Sequence, residues 1–298
     1  ITIVIVTFNR KELLLQCLQA LSTQTQQPSK ILIVDNASTD GTIETLQQNG
    51  WLEQSKIQLI ALKENMGGAG GFSTGMQSAF EQGADYVWMM DDDAVPHPTA
   101  LEEIMRYATP EHIYGSLAVN GEDTAWATTL LAENKTVHLK KQVPELVEVQ
   151  SLPFLGFLTS KEIYQNIGLP DASYFIAADD VEYCMRAQHF GHTILICGLS
   201  QIEHPKSDRY ESNILGKKIT YLNLVPWKRY YDTRNRFLIA KKYYGFKLYT
   251  QTVPSLIFRL IVALRSGKDR LKQFKAFFAG FYDGVFNKTG RRHDKWDL

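Results

Sequence analysis

The stretch Tyr86-Val-Trp-Met-Met-Asp91-Asp-Asp-Ala-Val-Pro96 constrains the fold of this chain more than any other. An apolar run with no polar face, ending abruptly in three carboxylates, reads as a buried strand that delivers acid to the C-terminal edge of a parallel sheet. In open α/β sheets that edge is where ligands bind. Three adjacent carboxylates repel one another, and a divalent cation relieves this by accepting hard oxygen ligands. On extended chain Asp91 and Asp93 point the same way and form the natural pair. The competing reading is a solvated acidic turn capping the helix expected over about 98–107.

Strand and helix alternate ahead of it. Residues 1–6 are a β-branched run, hence a buried strand. Leu14, Leu15, Leu18 and Leu21 give residues 11–23 a helical period. A second strand over 30–34 ends at Asp35. Thr39 or Asp40 is the expected N-cap of a short helix reaching Gln48. A third strand covers 57–62, and a loop holding Asn65-Met-Gly-Gly-Ala-Gly-Gly71 leads into a helix over about 72–81. This order predicts a Rossmann-like parallel sheet with right-handed crossovers. Further strands, mixed or antiparallel, are expected at 113–119, 136–140, 146–149 and 193–197, with an apolar run at 154–158. Helices are expected to start at Ser160 or Lys161 and at Asp179-Asp180, and to cover 227–244, 253–265 and 269–286.

With 298 residues, 44% hydrophobic and 11% aromatic, the chain can bury the core of one large α/β domain plus an appendage. We expect a catalytic domain over 1–204 and a basic, mostly helical region over 205–298. The net charge of zero hides this division: residues 205–298 hold 21 of the 32 Lys and Arg but only 7 of the 32 Asp and Glu. A basic half beside an acidic half suggests an anionic partner such as a phospholipid surface or a diphosphate-linked substrate. Nucleic acid is not expected, because no recognised binding motif accompanies the charge. The apolar run 255–264 is broken by Arg259 and falls short of the ~20 residues of a membrane span. Cys17, Cys184 and Cys197 have no metal-ligand spacing and are expected to be reduced, buried thiols of a cytosolic protein. Ile1 opens directly in a strand without a methionine, so residues upstream of it are expected.

Each candidate functional group has a plainer alternative. Asp35 at a strand end can bond a ribose hydroxyl or a base N–H, or simply form an Asx turn. The glycine cluster Gly67–Gly71 can bring backbone amides to phosphate, yet it matches neither a P-loop nor the dinucleotide fingerprint. Asp179 and Asp180, with Glu182, can cap a helix, or one of them can take a proton from a hydroxyl nucleophile. His204, at a strand end before a proline, has a structural reading, or it is the third ligand that Asp91 and Asp93 need.

Four segments carry a resemblance: Thr7-Phe8-Asn9-Arg10 after the first strand, Val34-Asp35-Asn-Ala-Ser-Thr-Asp-Gly41, Glu64-Asn65-Met-Gly-Gly-Ala-Gly-Gly-Phe72, and Met90-Asp-Asp-Asp-Ala-Val-Pro96. In this order and spacing the chain resembles family 2 inverting glycosyltransferases of GT-A fold. The likeness covers 1–204 and, through Tyr230-Tyr-Asp-Thr-Arg-Asn-Arg236, a little beyond. Within the family it is most similar to galactofuranosyl- and rhamnosyltransferases of bacterial surface glycans.

The resemblance implies a mainly parallel mixed sheet and a nucleotide pocket lined by Thr7, Phe8, Arg10, Asp35, Asn65, Asp91 and Asp92. It implies Mn²⁺ or Mg²⁺ on Asp91, Asp93 and His204, Asp180 as general base, and acceptor contacts from Phe154, Phe157, Asp179 and Glu182. Related galactan enzymes have tryptophans where this chain offers Phe154 and Phe157. The implied reaction is a single in-line displacement with inversion. UDP-galactofuranose is the expected donor, with dTDP-rhamnose second, and a glycan or lipid-diphosphate-linked molecule is the expected acceptor. The basic tail is expected to hold the protein at the cytoplasmic face of the plasma membrane through Lys241, Lys242, Lys268, Lys272, Lys275, Arg291 and Arg292 beside Phe274, Phe277, Phe278 and Phe281; an oligomer is left open. Other classes would be a nucleotidyltransferase, which would need a glycine-rich basic loop where Thr7–Arg10 stands, or a non-catalytic nucleotide-sugar-binding protein.

Overall fold

Strands β1 (Thr2–Thr7), β2 (Lys30–Asp35), β3 (Ile57–Ala61) and β4 (Tyr86–Asp91) pair in parallel in the order β3-β2-β1-β4. Helices α1 (Lys11–Ser22), α2 (Thr42–Gln48) and α3 (Gly67–Glu81) make the crossovers. Alternate residues of β1 enter opposite cores, as strand geometry requires. Ile3 and Ile5 pack with Leu14, Cys17, Leu18 and Leu21, while Val4 and Val6 pack with Phe72, Met76 and Phe80. This computed structural model describes residues 1–206, 209–214, 217–266 and 269–298.

Past β4 the chain adds β5 (Val95–Pro96), α4 (Ala100–Met105), β6 (Ile113–Asn120), β7 (Asp123–Leu130), β8 (Lys135–Leu139), β9 (Leu146–Glu148), β10 (Phe157–Ser160), α5 (Lys161–Ile167), α6 (Asp179–His189) and β11 (Ile194–Glu203). The 11-stranded sheet runs β3-β2-β1-β4-β10-β6-β11-β5, with β7 and β8 continuing from β6 and β9 lying on β11. β10 enters antiparallel between β4 and β6, and β6 pairs in parallel with β11. The sheet is therefore mixed, as expected. Ser160 caps α5, its hydroxyl accepting from the Ile163 amide at 3.1 Å.

Several elements differ from expectation. Strand β7 was not foreseen. β11 continues past a bulge between Cys197 and Gln201, which carries the chain on to Glu203 and sets the His204 amide on the Val119 carbonyl at 2.9 Å. Helix α3 starts at Gly67, so the glycine cluster is its first turn and not a preceding loop. Close packing explains the glycine at 71: a Cβ there would stand 2.6 Å from the Val6 Cγ1.

The chain clusters into two compact units, Ile1–Asp171 with Asp180–Lys206, and Ala172–Asp179 with Ser207–Leu298. The second contains an antiparallel pair, β12 (Arg209–Ile214) and β13 (Lys217–Leu222), which was not foreseen. It also contains helices α7 (Pro226–Tyr243), α8 (Val253–Ser266) and α9 (Arg270–Val285), with a π-helical turn at Leu248–Thr252. Among the described residues no helix is long and apolar enough to cross a membrane. The cysteines are free and buried.

Candidate active site

The C-terminal ends of β1, β2 and β4 lie side by side, so the turns that follow them form one edge. Short side chains tie these turns together. Asn9, left-handed at φ 54°, donates its amide to Ser38 Oγ at 2.9 Å, and its Oδ1 accepts from the Thr39 amide at 2.7 Å. Asn36 is buried; its Oδ1 accepts from the Met66 amide at 2.8 Å and its Nδ2 donates to the Gly67 carbonyl at 2.9 Å. Asp40 caps α2 from just outside, its Oδ1 accepting from the Thr42 amide at 3.1 Å. Asn9 and Asn36 were not singled out from sequence; the Asx-type chemistry of the turn clusters was the available signal.

Asp35 closes β2. Its Oδ2 accepts from the Ser38 amide at 3.1 Å, while its Oδ1 is buried without a hydrogen-bond partner among the described residues. Asn65 turns its Oδ1 back to the Gly67 amide at 2.8 Å, capping α3. Phe8 is exposed on the same edge.

The carboxylates at the end of β4 do not stay extended. Asp91 is the last strand residue, and the Ala94 amide bonds back to its carbonyl at 3.3 Å, so Asp92 and Asp93 lie in a turn. The alternation that would have paired Asp91 with Asp93 therefore does not apply. Asp92 is buried and accepts from Thr7 Oγ1 at 2.8 Å. Arg10 Nη1 reaches Asp92 Oδ1 at 3.3 Å and Asp93 Oδ2 at 3.0 Å. His204 Nε2 stands 3.5 Å from Asp93 Oδ1, an ion-pair distance without hydrogen-bond geometry, and packs edge-on against Trp126 of β7 at 5.7 Å.

The electrostatics are unevenly shared. Burial pushes the Asp91 carboxyl well above the usual carboxylate range, and Asp93 and Asp92 push it the same way. Burial would also raise Asp93, but His204 and Arg10 outweigh it and leave its pKa lowered. Burial disfavours charge on His204, and Asp93 with Asp91 reverses that, so its pKa is raised. Among the described residues, no three or more His, Cys, Asp or Glu side chains are arranged to hold a metal as they stand. Of the expected set, Asp93 and His204 are in direct contact, Asp91 acts on both through its charge, and Arg10 occupies the remaining carboxylate oxygen of Asp93.

Asp180 lies in the first turn of α6, its Oδ1 accepting from the Val181 amide at 2.7 Å, and Asp179 is buried at the start of that helix. Glu182 is buried and pairs with Arg186 at 2.8 Å; Arg186 also bonds the Ile167 and Leu169 carbonyls, so this carboxylate braces the end of α5. Phe154 and Phe157 are core residues, not wall residues. They are 4% and 0% exposed, and their rings pack on each other at 5.0 Å and on Tyr183 at 6.0 and 5.9 Å. Their apolar run contributes to the sheet and to the packing over it, which leaves neither ring open to an acceptor.

Residues 2–168 match the family described as "Glycosyl transferase family 2". The chain is 27% identical over 248 residues to the galactofuranosyltransferase GlfT1 of Mycolicibacterium smegmatis, covering 78% of this chain and 80% of that one. It is 25% identical over 301 residues to the dTDP-rhamnosyl transferase RfbF of Shigella flexneri, covering 96% of both. Among solved structures it resembles GalNAc-T7, crystallised with UDP, GalNAc and Mn²⁺, at TM-score 0.63 and 14% identity. That match covers 96% of this chain but only 56% of GalNAc-T7. It also resembles the mannosyltransferase PcManGT of Pyrobaculum calidifontis, in complex with GDP-Man and Mn²⁺, at TM-score 0.57 and 16% identity, covering 96% and 87%. The mixed sheet and the edge where its acidic turn meets the turns after β1 and β2 are those of a GT-A fold, and the chain belongs to glycosyltransferase family 2 and is a glycosyltransferase.

Proposed function

We propose that this enzyme transfers a sugar, with inversion, from a nucleotide diphosphate donor to a hydroxyl of a glycan or lipid-diphosphate-linked acceptor, and that galactofuranose from UDP-galactofuranose is the sugar. The observation that carries the donor reading is the shared edge: a buried Asp35 oxygen awaiting a donor hydrogen stands across β1 from a surplus of carboxylate at β4. Asp35 would accept from the base or ribose, with Thr7, Phe8, Arg10 and Asn65 around the nucleotide and Asp92 held in place by Thr7.

The residues at β4 fit a hard divalent cation. Carboxylate and imidazole are suitable ligands for Mn²⁺ or Mg²⁺. Asp93 Oδ1 and His204 Nδ1 are buried without hydrogen-bond partners among the described residues, and burial and then the neighbouring carboxylates disfavour charge on Asp91. Asp91, Asp93 and His204 would hold the ion, which would offset the negative charge that grows on the leaving diphosphate. Arg10 supplies part of that counter-charge as the chain stands; its side chain is half exposed and costs little to displace. Asp180 would take the proton of the acceptor hydroxyl as that oxygen attacks the anomeric carbon.

A second donor reading, dTDP-rhamnose, is favoured by the end-to-end match to RfbF. Thermal shifts with UDP and dTDP, each with Mn²⁺, separate the two, and selective stabilisation by dTDP would reverse the preference. For location, α9 supports the cytoplasmic membrane face. Leu271, Phe274, Phe278, Tyr282 and Phe286 form a stripe, each about half exposed or more, with Lys272 and Lys275 beside them. Phe277 is buried and Phe281 packs against the core, so these two do not belong to that surface; Lys268 lies outside the described residues. Such a surface suits an anionic bilayer. Flotation with anionic vesicles at low salt should carry the protein up, and a protein left in the pellet would end that part of the proposal.

A further inference from the structure

The segment that leads into the carboxylate pair of α6 is held in an unfavourable backbone conformation. Phe175, Ala177 and Ala178 all have left-handed φ values, 65°, 70° and 63°, although none is glycine. Such residues persist only where the surroundings over-determine them, and they cluster at functional sites. Carbonyls in such a turn have no regular ladder to join and need other donors.

Two neighbouring side chains of α7 supply those donors. Asn235 is fully buried, and its Nδ2 donates to three carbonyls, Tyr174 at 3.0 Å, Ile176 at 2.8 Å and Ala177 at 2.7 Å. Arg234 is also fully buried. Its Nη2 donates to the Tyr174 carbonyl at 2.8 Å and the Ser173 carbonyl at 3.4 Å, and its Nη1 to the Gly290 carbonyl at 2.7 Å. Arg234 Nε holds Asn235 Oδ1 at 2.8 Å, which fixes which end of the amide faces the turn. The guanidinium lies 4.7 Å from the Tyr231 ring, and that ring stacks on Phe175 at 5.0 Å. Burying a guanidinium is costly unless its hydrogens are used; here two of its bonds hold the Ser173 and Tyr174 carbonyls that lead into the turn, one holds Asn235, and the others go to Gly290 and Tyr230.

We propose that Arg234 and Asn235 are positioning residues: they hold the turn 175–178 in its left-handed form and so fix the backbone from which Asp180 presents its carboxylate. This rests on the reading of Asp180 as the base. Asn235 acts as the peg and Arg234 as the brace that orients it.

The test is a mutant cycle read as kcat for transfer and as nucleotide dissociation constant. Asn235→Ala should lower kcat by about 10²-fold, the scale expected when a reacting group is displaced by a fraction of its productive geometry, with nucleotide affinity unchanged. In an Asp180→Asn background the same substitution should cost nothing further, because groups acting through one another are not additive. Ala177→Gly with Ala178→Gly should restore part of the lost rate, since glycine takes φ > 0 without penalty; a merely structural asparagine would show no such rescue. Asn235→Asp keeps the volume and the bond from Arg234 while removing the donor. It serves as the second variant if alanine leaves too little folded protein, with the same losses expected. Near-wild-type kcat in both Asn235 variants, or losses that multiply with Asp180→Asn, would overturn the proposal. Wild-type kcat in Asp180→Asn alone would instead overturn the assignment of the base.

Discussion

Asp91, Asp92 and Asp93 at the end of β4 share one guanidinium and one imidazole, whereas in the helical unit Asp232 alone lies among three arginines and Asp283 accepts from several donors. Asp232 faces Arg236 at 2.7 Å, Arg229 at 3.8 Å and Arg259 at 3.9 Å. Asp283 is fully buried and accepts from Tyr230, from Arg292 at 2.9 Å and from Trp296 at 3.1 Å. Burial acts against charge in both places. In the helical unit the surrounding arginines and, for Asp283, Tyr230 and Trp296 overcome it and both carboxyls are lowered; at β4 His204 and Arg10 lower Asp93 but leave Asp91 and Asp92 raised. A carboxylate whose charge is compensated by its own chain serves the fold. A cluster left short of positive charge is held ready for something that brings it.

Substitution should separate the two groups of carboxylates, with the largest stability effect in the helical unit. Asp283→Ala should cost about 3–5 kcal/mol, because it leaves Arg292 without its buried partner and Tyr230 and Trp296 without their acceptor. Urea denaturation at neutral pH measures this, and a loss under about 1 kcal/mol would mean that Asp283 is no keystone. Asp91→Asn should act in the opposite direction, leaving stability unchanged or raising it by about 0.5–2 kcal/mol as like-charge repulsion is removed, at the expense of activity. A destabilised Asp91→Asn would put that residue in the structural class.

Acid sharpens the same contrast with a smaller effect. Asp232 and Asp283 have folded-state pKa values below their unfolded ones. Their contribution is complete above the unfolded value near 4 and is lost as pH falls through it towards the folded value. The stability gap between wild type and Asp283→Ala should therefore hold from pH 7 to about 5 and narrow below about 4. A gap that closes above pH 5 would show that charge on Asp283 is not what the helices depend on.

The strong periodic signals were legible. Strands β1 to β4, the helices after them and the three C-terminal helices follow from unbroken apolar runs and from helical spacing, because each buries a continuous apolar surface. Strand β7 was missed although Asn120-Gly121 stands before it and is a hairpin signal in its own right, with Gly121 at φ 64°. Its Thr-rich sequence hid the alternation. The glycines that open α3 were read as a loop because the packing that demands one of them, Gly71 against Val6 of β1, is invisible until helix and strand are together. The acidic turn was legible as a cluster but not in its shape, since one bond from Ala94 to Asp91 decides which carboxylates face each other. Phe154 and Phe157 were misplaced for a related reason: an apolar run does not say whether its rings face a ligand or a core. Asn9, Asn36 and Asn235 act on turns far away in sequence, which no local pattern reveals.

The most direct measurement of whether the β4 cluster is functional is turnover of the nucleotide sugar with Mn²⁺ and with excess EDTA, for the wild type and for Asp93→Ala, alongside their melting temperatures. The prediction is that EDTA abolishes turnover, that Asp93→Ala abolishes it in either condition, and that the variant melts within a few degrees of the wild type. Full turnover in excess EDTA, or an Asp93→Ala chain that no longer folds, would contradict it and make the acidic turn a structural cap.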